Sequence, residues 1–470
     1  MSTHKTFTLM ALAAALALAG CVSPGGIAPR AQSIDAKALV TDAQPAADVV
    51  DRWWTAFGDQ RLDELIEHGL ASNPSLAAVQ LRIARAQAQA DAADAARQPR
   101  VDAGLDLNRQ RYTANGAYSP LLAGNTRSSG SLLLNGSWEI DAFGRQRALL
   151  DAAVGARRAA EADYQSARLL LASNLVRQYV QLARLLEQRA VLQRSLDQRV
   201  EILDLVKQRV AAGLDTTVEL RQSEGSVPEL RAALEATDEQ VSLTRHLLAI
   251  LGAQGPDVVN GWTPQLAAVT LAPLPSTVPA DLLGRRADIA AARWRVEAAT
   301  SDLQAAKAQF YPSINLVALA GFSSLGLGQL LEAGSRQVGV GPAVRLPIFD
   351  AGRLRAHYKD RAVDVDAAVQ AYNATVLDAV REAADSLTSV QSVARQQHEQ
   401  DLALAAAESA YALALQRYRA GLGSYLSVLS VETHVLDQRR ARNELKARAL
   451  DAQVLLARAL GGGYRQDRAA

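Results

Sequence analysis

Two parts of the chain alternate apolar and polar residues with a period of two. Val101, Ala103, Leu105 and Leu107 alternate with Asp102, Gly104, Asp106 and Asn108. Leu134, Gly136, Trp138 and Ile140 alternate with Asn135, Ser137, Glu139 and Asp141. Later, Ile314, Leu316, Ala318 and Ala320 share one face of a segment. Val338, Val340, Val344, Leu346 and Ile348 share another, opposite Gly339, Gly341 and Arg345. Successive strand residues point to opposite faces, so the pattern predicts four strands, 101–112, 131–141, 313–322 and 337–349. A soluble hairpin covering a core produces such a pattern. So does a membrane-barrel strand with its apolar face in lipid. The segments joining the paired strands, 113–130 and 323–336, are rich in Gly, Ser and Asn and read as exposed loops.

The remaining pattern is helical. Leu171, Leu175, Tyr179, Leu182 and Leu186 recur in steps of three and four, the stripe of a helix packed on neighbours. Gly144 and Gly213 lie 69 positions apart, and so do Gly352 and Gly421. At 1.5 Å per residue a helix of that length extends about 100 Å. Ordinary globular domains do not hold such helices, whereas a coiled-coil tube does. Each long helix stops at its glycine and the chain returns, predicting hairpins over 144–251 and 352–460. Pro228, inside the first return helix, has no counterpart in the second and predicts a kink.

The symmetry is a repeat. Residues 75–101 align on 288–314 without a gap, placing Pro99 on Pro312, Ala77 on Ala290, Arg82 on Arg295 and Ala93 on Ala306. Further on the offset becomes 208. Gly144-Arg145 then falls on Gly352-Arg353, Tyr164 on Tyr372, Arg209 on Arg417 and Gly213-Leu214 on Gly421-Leu422. Helices 73–97 and 286–310, each closed by a proline, open the two halves. The plan is a first repeat, 21–280, and a second, 281–470. A proline-rich linker, 255–279, lies between them and reads as a surface belt.

Composition sharpens this picture. Hydrophobic residues make up 49% of the chain but aromatics only 5%, a balance suited to long helices rather than an aromatic core. A formal net charge of +1 gives no pull toward nucleic acid. The single cysteine, Cys21, excludes an intrachain disulfide. It ends the stretch MSTHKTFTLMALAAALALAGCVS, in which Lys5 supplies a positive start and Phe7 to Ala19 a short apolar run. Leu18-Ala19-Gly20-Cys21 resembles a bacterial lipobox. The resemblance implies a signal peptide over 1–20 and acylation of Cys21, whose lipid would be the only attached group. Val22, where an aspartate would mark inner-membrane retention, favours the outer membrane.

No helix after the signal is apolar enough to span a bilayer, so any crossing must be made by strands. Four strands cannot close a barrel, and about eight is the smallest closed form. Several chains must therefore pool strands: two would give a narrow, filled barrel and three a twelve-strand barrel with a lumen.

The repeat, the lipobox, PADLLGRRADIAAARWRVEAA (Pro279 to Ala299) and RYRAGLGSYLSVL (Arg417 to Leu429) together resemble the TolC family of outer-membrane efflux factors. The similarity is strongest to its lipoprotein branch serving resistance-nodulation-division pumps, although Ala287 stands where that branch usually has proline. The resemblance implies a mixed α and β membrane protein. In it three copies build a twelve-strand outer-membrane barrel above a helical tunnel, coupled to a periplasmic adaptor and an inner-membrane pump of a Gram-negative bacterium. It places the Gly213 and Gly421 turns at periplasmic tips and implies an aperture ringed by Leu426. Ser427 and Ser430 occupy the positions where relatives carry aspartate rings. It also implies a tip latch among Glu219, Tyr418 and Arg419. Hydroxyls in place of carboxylates would hold cations weakly.

Catalytic chemistry has no foothold. The six histidines are scattered without ligand spacing, Met1 and Met10 lie in the signal, and no nucleotide-binding glycine loop is present. Neither a resident metal nor a cofactor is expected. An exit channel for polypeptide secretion shares the same fold. A structural coiled-coil lipoprotein would explain the helices but not the paired strands, and a passive porin would need more strand per chain.

Overall fold

A computed structural model describes residues 24–35, 50–266 and 285–464. Cys21, the signal segment, most of the 255–279 linker and the last six residues lie outside them. The elements run α1 (Gln60–Ser72), α2 (Pro74–Ala95), β1 (Arg100–Arg111), β2 (Thr126–Ile140), α3 (Arg145–Ala211), α4 (Thr217–Leu251), α5 (Ala287–Ala308), β3 (Ser313–Leu325), β4 (Arg336–Arg345), α6 (Arg353–Arg419) and α7 (Tyr425–Ala459). The two halves share one order with equal helix lengths. Helices α2 and α5 have 22 residues each, α3 and α6 have 67, and α4 and α7 have 35. Among the described residues no helix is long and apolar enough to cross a membrane.

The chain groups into two units. The first comprises the described parts of Met1–Ser33, Arg82–Ala160 and Ala292–Tyr372 and holds the sheet. Its strands form an antiparallel meander in the order β1-β2-β3-β4. Register puts Val101 opposite Gly136, Ala103 opposite Leu134 and Leu105 opposite Leu132. It then puts Leu134 opposite Ala320 and Trp138 opposite Leu316, and Ala320 opposite Val338 and Ala318 opposite Val340. All of these share one face, so the alternation read along each strand merges into a continuous apolar surface. Much of it is exposed: Val101, Leu105, Leu134, Val338 and Val340 all face outward. Asp102, Asp106, Asn135, Glu139, Asn315 and Gln337 carry the other face.

Strand limits differ from expectation for physical reasons. β2 begins at Thr126, not 131, because pairing with β1 extends the ladder through Ser128 and Ser129, which have no apolar alternation to read. β4 stops at Arg345, not 349, two residues before Pro347, which has no N–H to donate to a ladder. In the same unit Leu303, Phe310, Leu354 and Tyr358 pack with Ile27 and Ala31 of the N-terminal segment. The backbone amides of Arg30 and Ala31 both donate to Asp366 Oδ1 at 2.7 Å and tie that segment to α6.

The second unit, Ile34–Leu81, Glu161–Ala291 and Asn373–Ala470, has a large aromatic-capped core. Trp53, Trp54 and Phe57 join Leu62 and Ile66 of α1 against Leu175 and Leu182 of α3, Leu248 of α4 and Leu450 of α7. Asp59 caps α1, accepting from the Arg61 amide, and its other oxygen accepts from the Tyr179 hydroxyl at 2.6 Å. The start of the linker is not a surface belt. Val259, Trp262 and Leu266 are buried in this core. Pro228 lies inside α4 without ending it.

Near the turns of the hairpins Arg199 and Glu432 form a fully buried ion pair. Arg199 Nε donates to Glu432 Oε2 at 2.5 Å, with the two residues 5% and 3% exposed. Burial pushes the Glu432 carboxyl up despite the pull of Arg199. Removing one partner leaves an uncompensated buried charge. Arg199→Met should destabilise the chain by about 3–5 kcal/mol. Arg177→Met, which breaks the half-exposed pair with Asp451, should cost about 0–1 kcal/mol. Thermal unfolding of both variants in detergent, followed by circular dichroism, checks the contrast.

Candidate functional site at the helix turns

Two turns close the long helices in the same way. Gly213 and Gly421 sit at positive φ, +72° and +76°, where a side chain would be strained. The amide of the next leucine reaches back five residues. Leu214 N donates to Arg209 O at 2.8 Å and Leu422 N to Arg417 O at 2.9 Å, the bond that terminates a helix at a left-handed glycine. Three residues past each glycine a hydroxyl caps the return helix. Thr216 Oγ1 accepts from Val218 N, and Ser424 Oγ accepts from Ser427 N.

Beneath the turns α3, α6 and α7 share a small core of Ile202, Val206, Tyr418, Tyr425 and Val428. Tyr418 is fully buried, and its hydroxyl donates to Asp215 Oδ2 at 2.7 Å. Arg209 Nε donates to the same carboxylate at 2.9 Å. Its guanidinium also lies 4.7 Å from the centre of the Tyr418 ring, a cation–π contact. The Arg209 hydrogen bond holds the Asp215 carboxyl below its ordinary value of 3.8 against the opposing effect of burial. Burial, reinforced by Asp215, raises the Tyr418 hydroxyl. The lattice Arg209–Asp215–Tyr418 therefore fastens the first turn to the second hairpin.

The residues expected to form a latch are distributed otherwise within the chain. Glu219 closes a capping box: its carboxylate accepts from the Thr216 amide at 3.0 Å and also bonds the Thr216 hydroxyl. It bonds neither Tyr418 nor Arg419, because the reciprocal cap consumes it locally. Arg419 is exposed. The acid that meets Tyr418 is Asp215, which the sequence reading passed over. Its signal was present, since Arg209 and Arg417 align while Asp215 aligns on Gly423, so only the first turn pairs its arginine.

The aperture candidates face outward. Leu426 is 57% exposed, one residue past the buried Tyr425, and Ser427 and Ser430 are exposed on the same helix. Leu214, Val218 and Leu422 are exposed as well. The turns thus present apolar side chains to their surroundings while the lattice beneath them is satisfied.

Sequence and structure comparisons agree on what the chain resembles. The profile of the outer membrane efflux protein family matches residues 65–253 and 278–462. The pyoverdine export outer membrane protein OpmQ of Pseudomonas putida is 32% identical over 466 residues, covering 98% of both chains. The fusaric acid resistance protein FusA of Burkholderia cepacia is 35% identical over 373 residues, 76% of this chain and 69% of the relative. The crystal structure of the outer membrane protein VceC from Vibrio cholerae superposes with a TM-score of 0.84 at 33% identity, covering 89% of this chain and all of that one.

Asp215→Asn removes the charge that receives both Arg209 and Tyr418. It should weaken the turn by about 1.5–3 kcal/mol, the range for hydrogen bonds to charged groups. Amides 209–220 should then exchange roughly tenfold faster or more at pH 7. Because the folded carboxyl is shifted down, its contribution is whole above the ordinary value of 3.8 and is lost as pH falls through the lower, folded value. The difference between wild type and variant should therefore vanish in strong acid.

Proposed function

The chain belongs to the outer membrane efflux protein family, and we propose that it works as the exit duct of a tripartite pump. It is an efflux channel of the outer membrane. The observation that carries the finer reading is the sheet. It has one continuous apolar face, suited to lipid, and two edge strands, β1 and β4, each with a single partner among the described residues. Three copies pooling their strands would close twelve into a barrel with a lumen and leave no edge in lipid. The helical hairpins of each copy would continue the conduit into the periplasm. There a periplasmic adaptor and a resistance-nodulation-division transporter would deliver cargo and supply the energy, since the chain carries no nucleotide loop. Relatives named for fusaric acid resistance and pyoverdine export support a small-molecule cargo over a secreted polypeptide.

At the turns, the outward-facing Leu426 of three copies would meet on the axis and exclude water, closing the resting channel by dewetting. Of the expected latch residues, the exposed Arg419 would assist between copies, while Tyr418 and Glu219 hold the two turns within each copy. Within each copy Asp215 supports the turn that holds them. With Ser427 and Ser430 in place of acids, closure would rest on apolar packing rather than charge. The tie between residues 30–31 and α6 supports an anchored N-terminus. A diacyl lipid on Cys21 would hold it in the outer membrane.

Leu426→Ala should raise the resting conductance of the channel in planar bilayers several-fold and admit vancomycin to cells, while Ser430→Ala should change little. Trivalent cations added on the periplasmic side should block weakly. Unchanged conductance in Leu426→Ala together with tight trivalent block would place the gate elsewhere. Labelled palmitate should enter the wild-type protein and not Cys21→Ser, and label in the serine variant would refute the anchor.

A further inference from the structure

A cavity of about 550 Å³ opens where the strands of the first unit meet their helices. The repeat explains an imbalance in its wall. In the first half Arg145 opens α3 and is held by the last turn of strand, donating from Nη2 to Glu139 Oε2 at 2.6 Å and from Nε to Oε1 at 3.1 Å. At the offset of 208 that aligns Gly144 on Gly352, Arg145 becomes Arg353 and Glu139 becomes Pro347. The second half has kept the arginine and lost its carboxylate. Arg353 makes no side-chain hydrogen bond or ion pair among the described residues. The same holds for Arg345, the last residue of β4, and both line the cavity.

The acids of the same wall are already committed. Glu139 also accepts from Gln146 Nε2 at 2.9 Å. Asp141 caps α3, accepting from the amides of Gln146 and Arg147 at 3.0 and 2.8 Å. Even the start of α6 is occupied, because Asp350 accepts from the Leu354 amide at 2.8 Å. Two guanidinium forks therefore face a space whose anions are all spent. Beside them the lining turns apolar: Ile140, Phe143 and Tyr311, the last two rings stacked at 4.9 Å and nearly parallel.

We infer that this cavity binds a small organic acid, its carboxylate held by Arg345 and Arg353 and its apolar body laid against Tyr311 and Phe143. The chemistry follows from the donors. A guanidinium presents parallel N–H groups spaced for the two oxygens of a carboxylate. The repeat supplies the precedent inside this chain, since Arg145 receives such a carboxylate in the same local setting. The ring pair selects a planar or aliphatic body over a hydrated inorganic anion. The site is built from residues of the first unit alone, and its occupancy does not depend on how the channel is gated.

Equilibrium dialysis of the full-length detergent-solubilised protein against radiolabelled benzoate at low salt tests this, with benzamide as the neutral probe. Benzoate should bind saturably, one per chain, and benzamide should not. Arg353→Gln and Arg345→Gln should each weaken benzoate about ten-fold or more, the loss of one charged hydrogen-bonding partner. Pro347→Glu should do the same by restoring to Arg353 the partner that Arg145 has. Pro347→Gln, which makes the same backbone change without the charge, should bind benzoate like wild type, so a misfolded strand end cannot imitate the result. The proposal fails if wild type binds no benzoate, or if Pro347→Glu and Pro347→Gln weaken it equally. It also fails if native mass spectrometry finds a phospholipid held one per chain and lost in Arg353→Gln, since the anion would then be a lipid headgroup.

Discussion

A backbone amide or carbonyl cannot be left unpaired in hydrocarbon, where water is absent and each orphaned group costs several kcal/mol. That constraint governs this chain. It makes four strands with a shared apolar face, and the outer edges of β1 and β4 have no strand partner within the described residues. The face calls for lipid and the edges forbid lipid unless other strands cover them. The proposed association of copies would meet both requirements at once. The features that orient the strands serve the same requirements. Register brings the apolar residues of the alternating pattern onto one side, and Gly321 lets β3 approach β2 where a Cβ would lie 2.1 Å from the Leu132 carbonyl oxygen.

The duplicated architecture preserves geometry and lets charge diverge. Helix lengths match residue for residue between halves, as do the left-handed glycines that start and stop the long helices. Pairing of the conserved arginines does not match. Arg145 has Glu139, whereas Arg353 faces Pro347. Arg209 has Asp215, whereas Arg417 aligns with a turn that carries Gly423 instead. In both places the first half neutralises its arginine inside the chain and the second leaves it exposed. Backbone geometry is fixed by hydrogen-bond ladders and caps that tolerate no drift. A surface arginine costs little to unpair, so it is the part of a repeat free to acquire a separate use.

The same distinction explains what the sequence made legible. Strand faces, the 69-residue spacing and the glycine turns were readable because period and backbone conformation are local properties of the chain. The helix α1 had a local signal too, with Leu62, Leu65, Ile66 and Gly69 at helical spacing behind the cap Asp59. Alignment of the halves does not expose it, because no described element precedes α5 in the matching place. Docking of Trp262 and Leu266 onto Trp53 and Trp54 joins residues some two hundred positions apart and has no periodic trace. At the turns, Thr216 and Glu219 spelled a capping box in sequence, and the chain forms it. For Asp215 only the pairing with Arg209, six positions away, was local; its second partner, Tyr418, lies 203 positions away and has no local trace.

The central claim is that the sheet of one chain is incomplete and that three copies complete it. The mass of the protein in its detergent particle, measured by light scattering with the detergent contribution subtracted, tests this most directly. The account predicts three chains in each particle. A monodisperse particle holding a single chain, with the strands still folded, would contradict it.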